Sequence, residues 1–369
     1  MYKCNKTLNV EIESFLSLSQ DWDELLESSR HKSLFLTWTW IKSWLYNFQN
    51  GGIEHIAVVR NEGRIVGIAP FELFRRKFFR SELRFIGQTY SYSLGFIAKI
   101  GMEATIYDAI WDFVFKEALR KKYFISLRHL REDSVFEESL KKKVEYYNFA
   151  MESDNFDPSK ILTLPSDFEK YLTFQITSKK FRKSLRNDLN KIDNGHWDFF
   201  FAPNSMIDVY LAILFKFHIE DMSARGVHSF LFQKEIREHF FQIVKEFAKR
   251  SQLRLAVLNL DGSTVAVLLG IALQKRFYSL IMGIDHRVRK KNHMFNFCFL
   301  IHSLCIKHSI FEGFEAYDFL GGGSKYKMKM GAQEADGRRV IVYRSNWNKI
   351  WIGIAEKLLD LRENFFSIR

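Results

Sequence analysis

The chain has 369 residues, 47% of them hydrophobic, and only 4 prolines. This length allows two domains, and this composition excludes a disordered or proline-rich protein. The formal net charge is +12, with a pI of about 9.4. Such a charge reflects either scattered surface lysines or an attraction for polyanions, namely nucleic acid, anionic lipid or phosphate-bearing cofactors.

The sequence shows no sign of export or of metal binding. Cys4, Cys298 and Cys305 form no CxxC pair, which fits a reducing compartment. The N-terminal residues lack an apolar signal core, and no run of about 18 apolar residues occurs. The histidines lack HxxxH and HExxH spacing. We therefore expect a soluble, cytoplasmic protein with no metal site.

The first half alternates between helix and strand patterns. Residues 8–18 predict a first strand, and Trp40, Trp44 and Phe48 share one face of an aromatic core helix. EHIAVVRNEGRIVGIAPFEL predicts a β-hairpin that turns at Asn61 to Gly63. Residues 103–121 then predict a helix before a buried strand, YFISLRHL. We expect an N-terminal domain over 1–157, with a linker at 154–165 that holds two prolines.

The second half opens with a strongly basic amphipathic helix, SKKFRKSLRNDLNKI. Ser178 is its predicted N-cap. An apolar stripe consists of Phe181, Leu185, Leu189 and Ile192. The cations between them are Lys179, Lys180, Arg182, Lys183, Arg186 and Lys191. This face is either solvated or turned towards phosphate, a membrane surface or RNA.

The remaining elements repeat the order of the first half. A strand, HWDFFFA, precedes helices at 205–221 and 231–250, and a hairpin turns at Asp261-Gly262. The strand RFYSLIMGID, a helix ended by Gly313, and the strands EAYDFL and RRVIVYRSN follow. This repetition predicts two copies of one α/β fold, the second over 158–345, with an amphipathic helix over 346–369.

Several of these stretches resemble the GNAT acyltransferase superfamily in its tandem form, and most closely its CelD-like branch. The similarity is carried in order by LFLTWTWIKSWLYNF, GRIVGIAPFEL, SKKFRKSLRNDLNKI, HIEDMSARGVHSFLFQKEIREHF and YDFLGGGSKYKMKMGA. It implies an α/β (α+β) fold of two tandem GNAT-like domains, each with a mixed, mostly antiparallel sheet flanked by helices. Fem-type transferases, which use aminoacyl-tRNA, are more distantly similar.

The resemblance implies a donor site directly after the strand RFYSLIMGID. GNAT enzymes hold the acyl-CoA pyrophosphate with a glycine-bearing loop at a helix N-terminus. The equivalent segment here, HRVRKKNHMFN, has no glycine and offers cations instead. The residues expected to bind acyl-CoA are Ile284, Arg287, Val288, Arg289, Lys290, Lys291 and Asn292.

Acyl transfer needs a base for the acceptor and an acid for the leaving group. Asp285 and His286 end a central strand, and histidine is the most common general base, so His286 is either that base or a loop histidine without a role. Asp318, in EAYDFL, either faces the cleft as a substrate ligand or base, or caps the following turn. The resemblance suggests Tyr326 as general acid for the departing thiolate.

Three further residues are expected to bind substrate. Lys325 and Lys327 alternate along a predicted strand after the glycines, either on a solvated basic face or towards a phosphate or acidic acceptor. In the CelD-like branch the helix that carries His218 and Glu220 faces the cleft. We therefore expect transfer of an acyl group, such as acetyl, from acyl-CoA to an amine or hydroxyl of a small molecule, sugar or peptide. The alternatives are a tRNA-dependent Fem-type transferase and a non-catalytic binding protein.

Overall fold

The computed structural model describes residues 8–48, 52–75, 80–192, 197–291, 296–322, 325–335 and 337–344. These residues form two compact units. The first holds the chain up to Pro158 together with 337–344, and the second holds 159–335. The predicted helix over 346–369 lies outside the described residues.

The first unit alternates strands and helices in the predicted order. Its strands before Pro158 are β1 (Asn9–Glu13), β2 (Gly52–Asn61), β3 (Arg64–Phe74), β4 (Glu82–Phe85), β5 (Ile97–Ala98), β6 (Phe124–Leu130) and β7 (Phe149–Asn155). Its helices are α1 (Trp22–Glu27), α2 (Trp38–Asn47), α3 (Glu103–Lys121) and α4 (Ser134–Tyr146).

The second unit follows the same plan. Its strands are β8 (Ser159–Thr163), β9 (Trp197–Phe201), β10 (Leu253–Leu260), β11 (Ser263–Leu273), β12 (Arg276–Ile284), β13 (Ala316–Asp318) and β14 (Gln333–Ala335). Its helices are α5 (Phe168–Lys170), α6 (Lys179–Lys191), α7 (Ile207–Ala224), α8 (Lys234–Lys249), α9 (His286–Lys291), α10 (Phe297–Phe311) and α11 (Lys325–Lys329). The last described strand, β15 (Arg338–Arg344), completes the first unit.

Both sheets have one topology, which confirms the predicted fold class. The first sheet runs β1-β2-β3-β4-β6-β15-β7, and the second runs β9-β10-β11-β12-β13-β8-β14. In each sheet every neighbouring pair on this path is antiparallel except one, β4 with β6 and β12 with β13. The repeated order of elements in the sequence therefore corresponds to a repeated order of strands in space.

The two sheets exchange their sixth strands. β8 follows β7 of the first sheet along the chain but lies in the second sheet, and β15 follows β14 of the second sheet but lies in the first. The segment predicted as a linker is mostly strand, because β7 runs to Asn155 and β8 begins at Ser159. β8 pairs with β13 and β14 of the second sheet. β15 is a strand as predicted, but it pairs with β6 and β7 of the first sheet rather than with its sequence neighbours in 158–345. Local sequence predicts that a strand forms, whereas long-range pairing decides which sheet takes it.

The predicted basic helix is α6, and its apolar stripe packs as expected. The Ser178 hydroxyl accepts a hydrogen bond from the Phe181 amide, 3.3 Å away, and so caps the helix. Leu185 is buried in the core of the second unit, and the ring of Phe181 lies 4.4 Å from that of Phe299 on α10. This packing turns the lysines of α6 outwards: Lys179, Lys180 and Lys183 are exposed.

Candidate active site

The parallel strands β12 and β13 separate soon after they meet. Only three residues of each strand are paired, and the last pair is Tyr278 with Asp318. β12 continues to Ile284, and in the part of the chain that the structure describes no strand pairs with this edge of residues 279–284. The pairing with β11 also shifts here, so that Leu280 is an extra residue on β12. Bulges of this kind re-aim a strand and are common beside active sites.

Helix α7 covers one face of β12 at the open stretch. A Cβ added at Gly283 would lie 2.5 Å from the carbonyl oxygen of Leu214 and 2.9 Å from Cβ of Phe217. Any larger residue at position 283 would therefore push the helix off the strand. Glycine here allows the close backbone approach that places α7 beside the opening.

His218, predicted to bind substrate, is buried on α7. Its Nδ1 lies 2.9 Å from the hydroxyl of Ser229, and its ring meets Phe230 edge-on. Burial, with a smaller effect of Arg225, lowers the pKa of His218 to about 4, so the ring is neutral near pH 7. The structure therefore directs Nδ1 of His218 at the loop after α7 and gives it a packing role.

Asp285 and Arg287 are bound to one another at the start of α9. The Asp285 carboxylate accepts the Arg287 amide at 2.9 Å and two guanidinium hydrogen bonds, at 3.0 and 2.8 Å. Burial raises the pKa of Asp285, but the hydrogen bonds and charge of Arg287 outweigh this and hold the pKa below its usual value. Asp285 is thus a helix cap, and the guanidinium charge of Arg287 is shared with it.

His286, the predicted general base, lies opposite a carboxylate. Its Nδ1 is 3.7 Å from Oε2 of Glu220 on α7, and both atoms are buried. This distance is too long for a hydrogen bond, so the contact between the two groups is electrostatic. The sequence pointed weakly to Glu220 through its helix, but only the fold brings it to His286.

The other residues of the predicted donor segment divide into two groups. Ile284 is buried, and Val288 packs against the core of the second unit. The side chains of Arg289, Lys290 and Lys291, and residue Asn292, lie outside the described part of the chain. α10 begins a few residues later, at Phe297, and its N-cap residue Asn296 makes no side-chain capping bond. The positive end of the dipole of this 15-residue helix therefore lies directly after the basic segment.

Asp318 caps the turn after β13, which decides between the two roles proposed for it. Its Oδ1 accepts the amide of Leu320 at 2.8 Å, and Leu320 has a φ of +59°. Its Oδ2 lies 3.6 Å from Nη1 of Arg276. The side chain is 1% exposed, so Asp318 stabilises a strained turn next to the opening.

The predicted basic strand after the glycines is instead the helix α11. Lys325 and Lys329 are exposed on it, whereas Lys327 is buried. The Lys327 ammonium donates to the carbonyl oxygens of Phe319, Leu320 and Gly321. The strand prediction was wrong because alternation of charge over five residues does not distinguish a strand from one helical turn. Lys327 holds the end of β13 in place, and its contacts do not point to a ligand.

Tyr326 lies on the other side of α11, within a small polar network. Its hydroxyl is 3.4 Å from Nε2 of His302 on α10, and Nδ1 of the same ring is 2.8 Å from the hydroxyl of Tyr317 on β13. Burial, with the nearby charge of Lys327, lowers the pKa of His302 to about 3. Sequence patterns did not indicate His302 as a site residue, because its partners are 15 and 24 residues away along the chain. Its one local signal is a histidine within an apolar helix.

Two kinds of site were not found in the described chain. Among these residues no group of three or more histidine, cysteine or acidic side chains is arranged to hold a metal ion. None of the described helices is long and apolar enough to cross a membrane.

Comparisons with known proteins agree with this geometry. Residues 179–328 match the family model "Acetyltransferase (GNAT) domain". No curated protein sequence matches the chain. The fold is similar to that of FemX, with a TM-score of 0.64 at 11% identity over 96% of this chain and 100% of that one.

Two further solved structures are similar across nearly the whole chain. A conserved protein of unknown function from Bacteroides thetaiotaomicron has a TM-score of 0.57 at 13% identity, over 91% of this chain and all of that one. L-PGS from Bacillus licheniformis has a TM-score of 0.55 at 13% identity, over 95% and 97%. At such identities the likeness concerns the fold alone. Residues 179–328 thus match the GNAT acetyltransferase domain, in a chain that repeats one α/β fold in tandem.

Proposed function

We propose that the second unit transfers an acyl group from acyl-CoA to an amine or hydroxyl of a small-molecule, sugar or peptide acceptor. One observation carries this proposal: β12 and β13 part after three pairs, His286 faces Glu220 just beyond the end of β12, and Tyr326 is joined through His302 to Tyr317 on β13. An unpaired strand edge offers N–H and C=O groups to an extended ligand. The amide-rich arm of coenzyme A has groups that match such an edge.

The side chains around this edge supply both halves of an acyl transfer. His286, which faces the Glu220 carboxylate, accepts the proton of the acceptor group. Backbone N–H groups of residues 279–284 donate to the oxyanion that develops on the carbonyl. Tyr326 gives its proton to the departing thiolate. The first two roles use groups on β12 or directly after it, whereas Tyr326 is joined to β13 through His302.

The choice of acyl-CoA as donor rests on the start of α10. The positive end of the dipole of a 15-residue helix attracts an anion. The segment just before it is rich in lysine and arginine. The pyrophosphate of acyl-CoA fits this combination even though the segment has no glycine, since the cations compensate for a less close backbone approach.

A second candidate donor is aminoacyl-tRNA, as in the Fem-type transferases. It is favoured by the exposed lysines of α6 and by the similarity of the fold to FemX over 96% of the chain. Lys179, Lys180 and Lys183 are exposed on that helix. Phosphate backbones are bound by lysines of this kind, and the binding weakens steeply as salt rises.

The two donors are separated by a direct assay. Purified protein is titrated calorimetrically with acetyl-CoA and with longer acyl-CoAs, and CoA release is followed with a panel of amine and sugar acceptors. We expect binding and acceptor-dependent release of CoA. Strongly salt-dependent binding of charged tRNA, lost in a Lys179/Lys180/Lys183→Gln variant that still binds acyl-CoA, would favour the second candidate. A folded protein that binds neither donor would be a non-catalytic binding protein, and the proposal would fail.

A further inference from the structure

His302 is the centre of a buried hydrogen-bonded chain that joins α11 to β13. Its ring lies between two tyrosine hydroxyls, 3.4 Å from that of Tyr326 at Nε2 and 2.8 Å from that of Tyr317 at Nδ1. Only 1% of His302 is exposed, and Tyr317 is completely buried. The aromatic rings of Phe319 and Tyr326 surround the imidazole. Tyr326 is half-buried, so it is the member of the chain that reaches towards solvent.

The imidazole of His302 is neutral at physiological pH. Burial lowers its pKa to about 3, and the nearby ammonium of Lys327 acts in the same direction. A neutral imidazole has one N–H donor and one bare nitrogen acceptor. The tautomer therefore decides which tyrosine receives a hydrogen bond from the ring and which one donates to it.

Tyr317 settles the tautomer. A buried hydroxyl hydrogen left without an acceptor costs about 1–3 kcal/mol, so the Tyr317 proton needs a partner. Nδ1 of His302 is the close acceptor, at 2.8 Å. Burial raises the pKa of Tyr317 well above its usual value, so its hydroxyl keeps its proton and needs an acceptor. With Nδ1 accepting from Tyr317, the ring proton lies on Nε2 and points to the oxygen of Tyr326.

We propose that His302 is a positioning residue for the acid of this site: its Nε2–H donates to the Tyr326 oxygen, and the Tyr326 proton is thereby turned from the ring to the leaving group. This inference rests on the proposed acyl transfer. In that reaction the acceptor nitrogen or oxygen bonds to the carbonyl carbon, and the carbon–sulfur bond breaks. The Tyr326 proton passes to the thiolate, and the acceptor's proton returns through solvent to the Tyr326 phenolate.

The hydrogen bond from Nε2–H becomes stronger as the Tyr326 oxygen gains negative charge, since a charged acceptor roughly doubles such a bond. Because His302 stays neutral, this help does not depend on protonating a buried ring. The other tautomer would have the opposite effect, since Tyr326 would then donate its proton to Nε2 and lose it to the ring. Tyr317 therefore acts through His302 to keep Tyr326 ready as an acid.

Turnover of two donors tests the proposal. One is an ordinary alkyl thioester, and the other an aryl thioester of the same acyl group, whose thiol has a low pKa and leaves without an acid. For His302→Phe we expect kcat to fall about 10- to 100-fold with the alkyl thioester, at unchanged KM, and less than about twofold with the aryl thioester. His308→Phe, on the same helix and exposed, is the matched control and leaves both rates unchanged.

A second variant shows whether His302 works through Tyr326. In a Tyr326→Phe background, His302→Phe is expected to cause no further loss, because the group that it positions is already gone. Tyr317→Phe in the wild-type background is expected to reproduce the selective loss. Equal losses with both thioesters, or losses that add to that of Tyr326→Phe, would show a merely structural role and overturn the proposal.

A measurement that needs no acyl donor distinguishes failure of this inference from failure of the proposed acyl transfer. In the ¹⁵N spectrum of histidine-labelled wild-type protein, His302 is expected to be neutral at pH 7, with the proton on Nε2. A proton on Nδ1, or a charged ring, would overturn the inference whether or not the protein turns over a thioester. If no donor is turned over while the ring shows the expected tautomer, the proposed acyl transfer fails and the hydrogen-bond direction stands.

Discussion

The two units share a topology but treat its parallel junction in opposite ways. In the first unit, β4 and β6 pair in parallel at Glu82 with Phe124 and at Leu83 with Ile125. The chain after β4 then turns back, and Leu94 forms a parallel bridge to Leu130. In the second unit β12 and β13 part after three pairs, and in the described chain no returning segment pairs between them.

The closure in the first unit is made by backbone and by one side chain. Leu94 donates its amide to the His129 carbonyl at 2.8 Å, and its own carbonyl accepts the amide of Arg131 at 3.0 Å. The side-chain oxygen of Gln88, which is 2% exposed, accepts the amides of Phe85 and Arg128, each at 3.3 Å. The same strand order thus yields a sealed sheet in one half and an open edge in the other. Chemistry is expected only where the edge is open.

The largest expected effect concerns Tyr326 at the open junction. Tyr326→Phe removes the proposed acid, so kcat should fall about 100- to 1,000-fold, with little change in donor affinity. Tyr92→Phe is the control in the sealed unit, where its hydroxyl donates to Asp157, 3.1 Å away. Steady-state kinetics with one thioester donor measure both. An unchanged kcat for Tyr326→Phe would remove the tyrosine from the mechanism.

Gly283 tests how tightly the open strand is packed. An alanine there meets the α7 backbone at the Leu214 carbonyl, which cannot move alone, so Gly283→Ala should lower the free energy of unfolding by about 3 kcal/mol. In the first unit, Gly67→Ala meets the side chain of Ile106, which can shift, so the loss should be about 1 kcal/mol. Denaturant unfolding gives both values. Equal losses would show that the backbone of α7 yields as easily as the side chain of Ile106.

Lys327 tests whether its ammonium group, rather than strand pairing, stabilises the end of β13. Lys327→Met leaves three carbonyl oxygens without their ammonium donor, and should lower the unfolding free energy by about 2 kcal/mol. Its exposed neighbour gives the control, because Lys325→Met should change stability by less than about 0.5 kcal/mol. Thermal melts of the two variants decide this. A Lys327→Met protein as stable as wild type would show that the turn holds itself.

The effect that is smallest at neutral pH is a difference between the two units in how their stability falls in acid. Burial lowers the pKa of His218 to about 4 and that of His302 to about 3 in the second unit, and that of His129 to about 4 in the first. Below a pH of about 6.5 these rings bind protons in the unfolded chain but not in the folded one. The free energy of unfolding therefore falls as the pH falls from about 6.5 to about 4.

Each such histidine contributes a slope of about 1.4 kcal/mol per pH unit in that window. His218→Gln should therefore reduce the pH dependence of the second unit by one proton and leave that of the first unchanged. Hydrogen exchange, read separately on strands of each sheet, measures the two slopes. A slope in the second unit that His218→Gln does not alter would mean that this histidine becomes charged without cost.

Much of the fold follows from short-range patterns in the sequence. The turn at Asn61 to Gly63 is where the hairpin of β2 and β3 turns, and the apolar stripe of α6 lies on the core as its spacing predicts. The repeated order of elements predicted a duplicated α/β fold. These features depend on periodicities and turn residues within a few positions of one another, which a single sequence displays directly.

The site was harder to predict, and the reason is visible in its residues. Tyr326 and His286 stay predictions as acid and base, whereas Asp318 caps a turn and Lys327 binds three carbonyl oxygens. His302 is the residue that sequence reasoning missed. A cap or a buried ion is recognised by its contacts, and these contacts join positions that have no periodic relation along the chain.

The sequence by itself determined most of the segments that become helix and strand. It also determined where Tyr326, the proposed acid, and the basic segment before α10 lie along the chain. Tertiary structure alone decided that β8 and β15 change places between the sheets, and that one parallel junction is sealed while the other stays open. Hydrophobic period and turn chemistry act locally, so they are legible in one dimension. Strand partners, buried hydrogen bonds and the approach of α7 to Gly283 depend on which distant segments meet, and only the folded chain settles that.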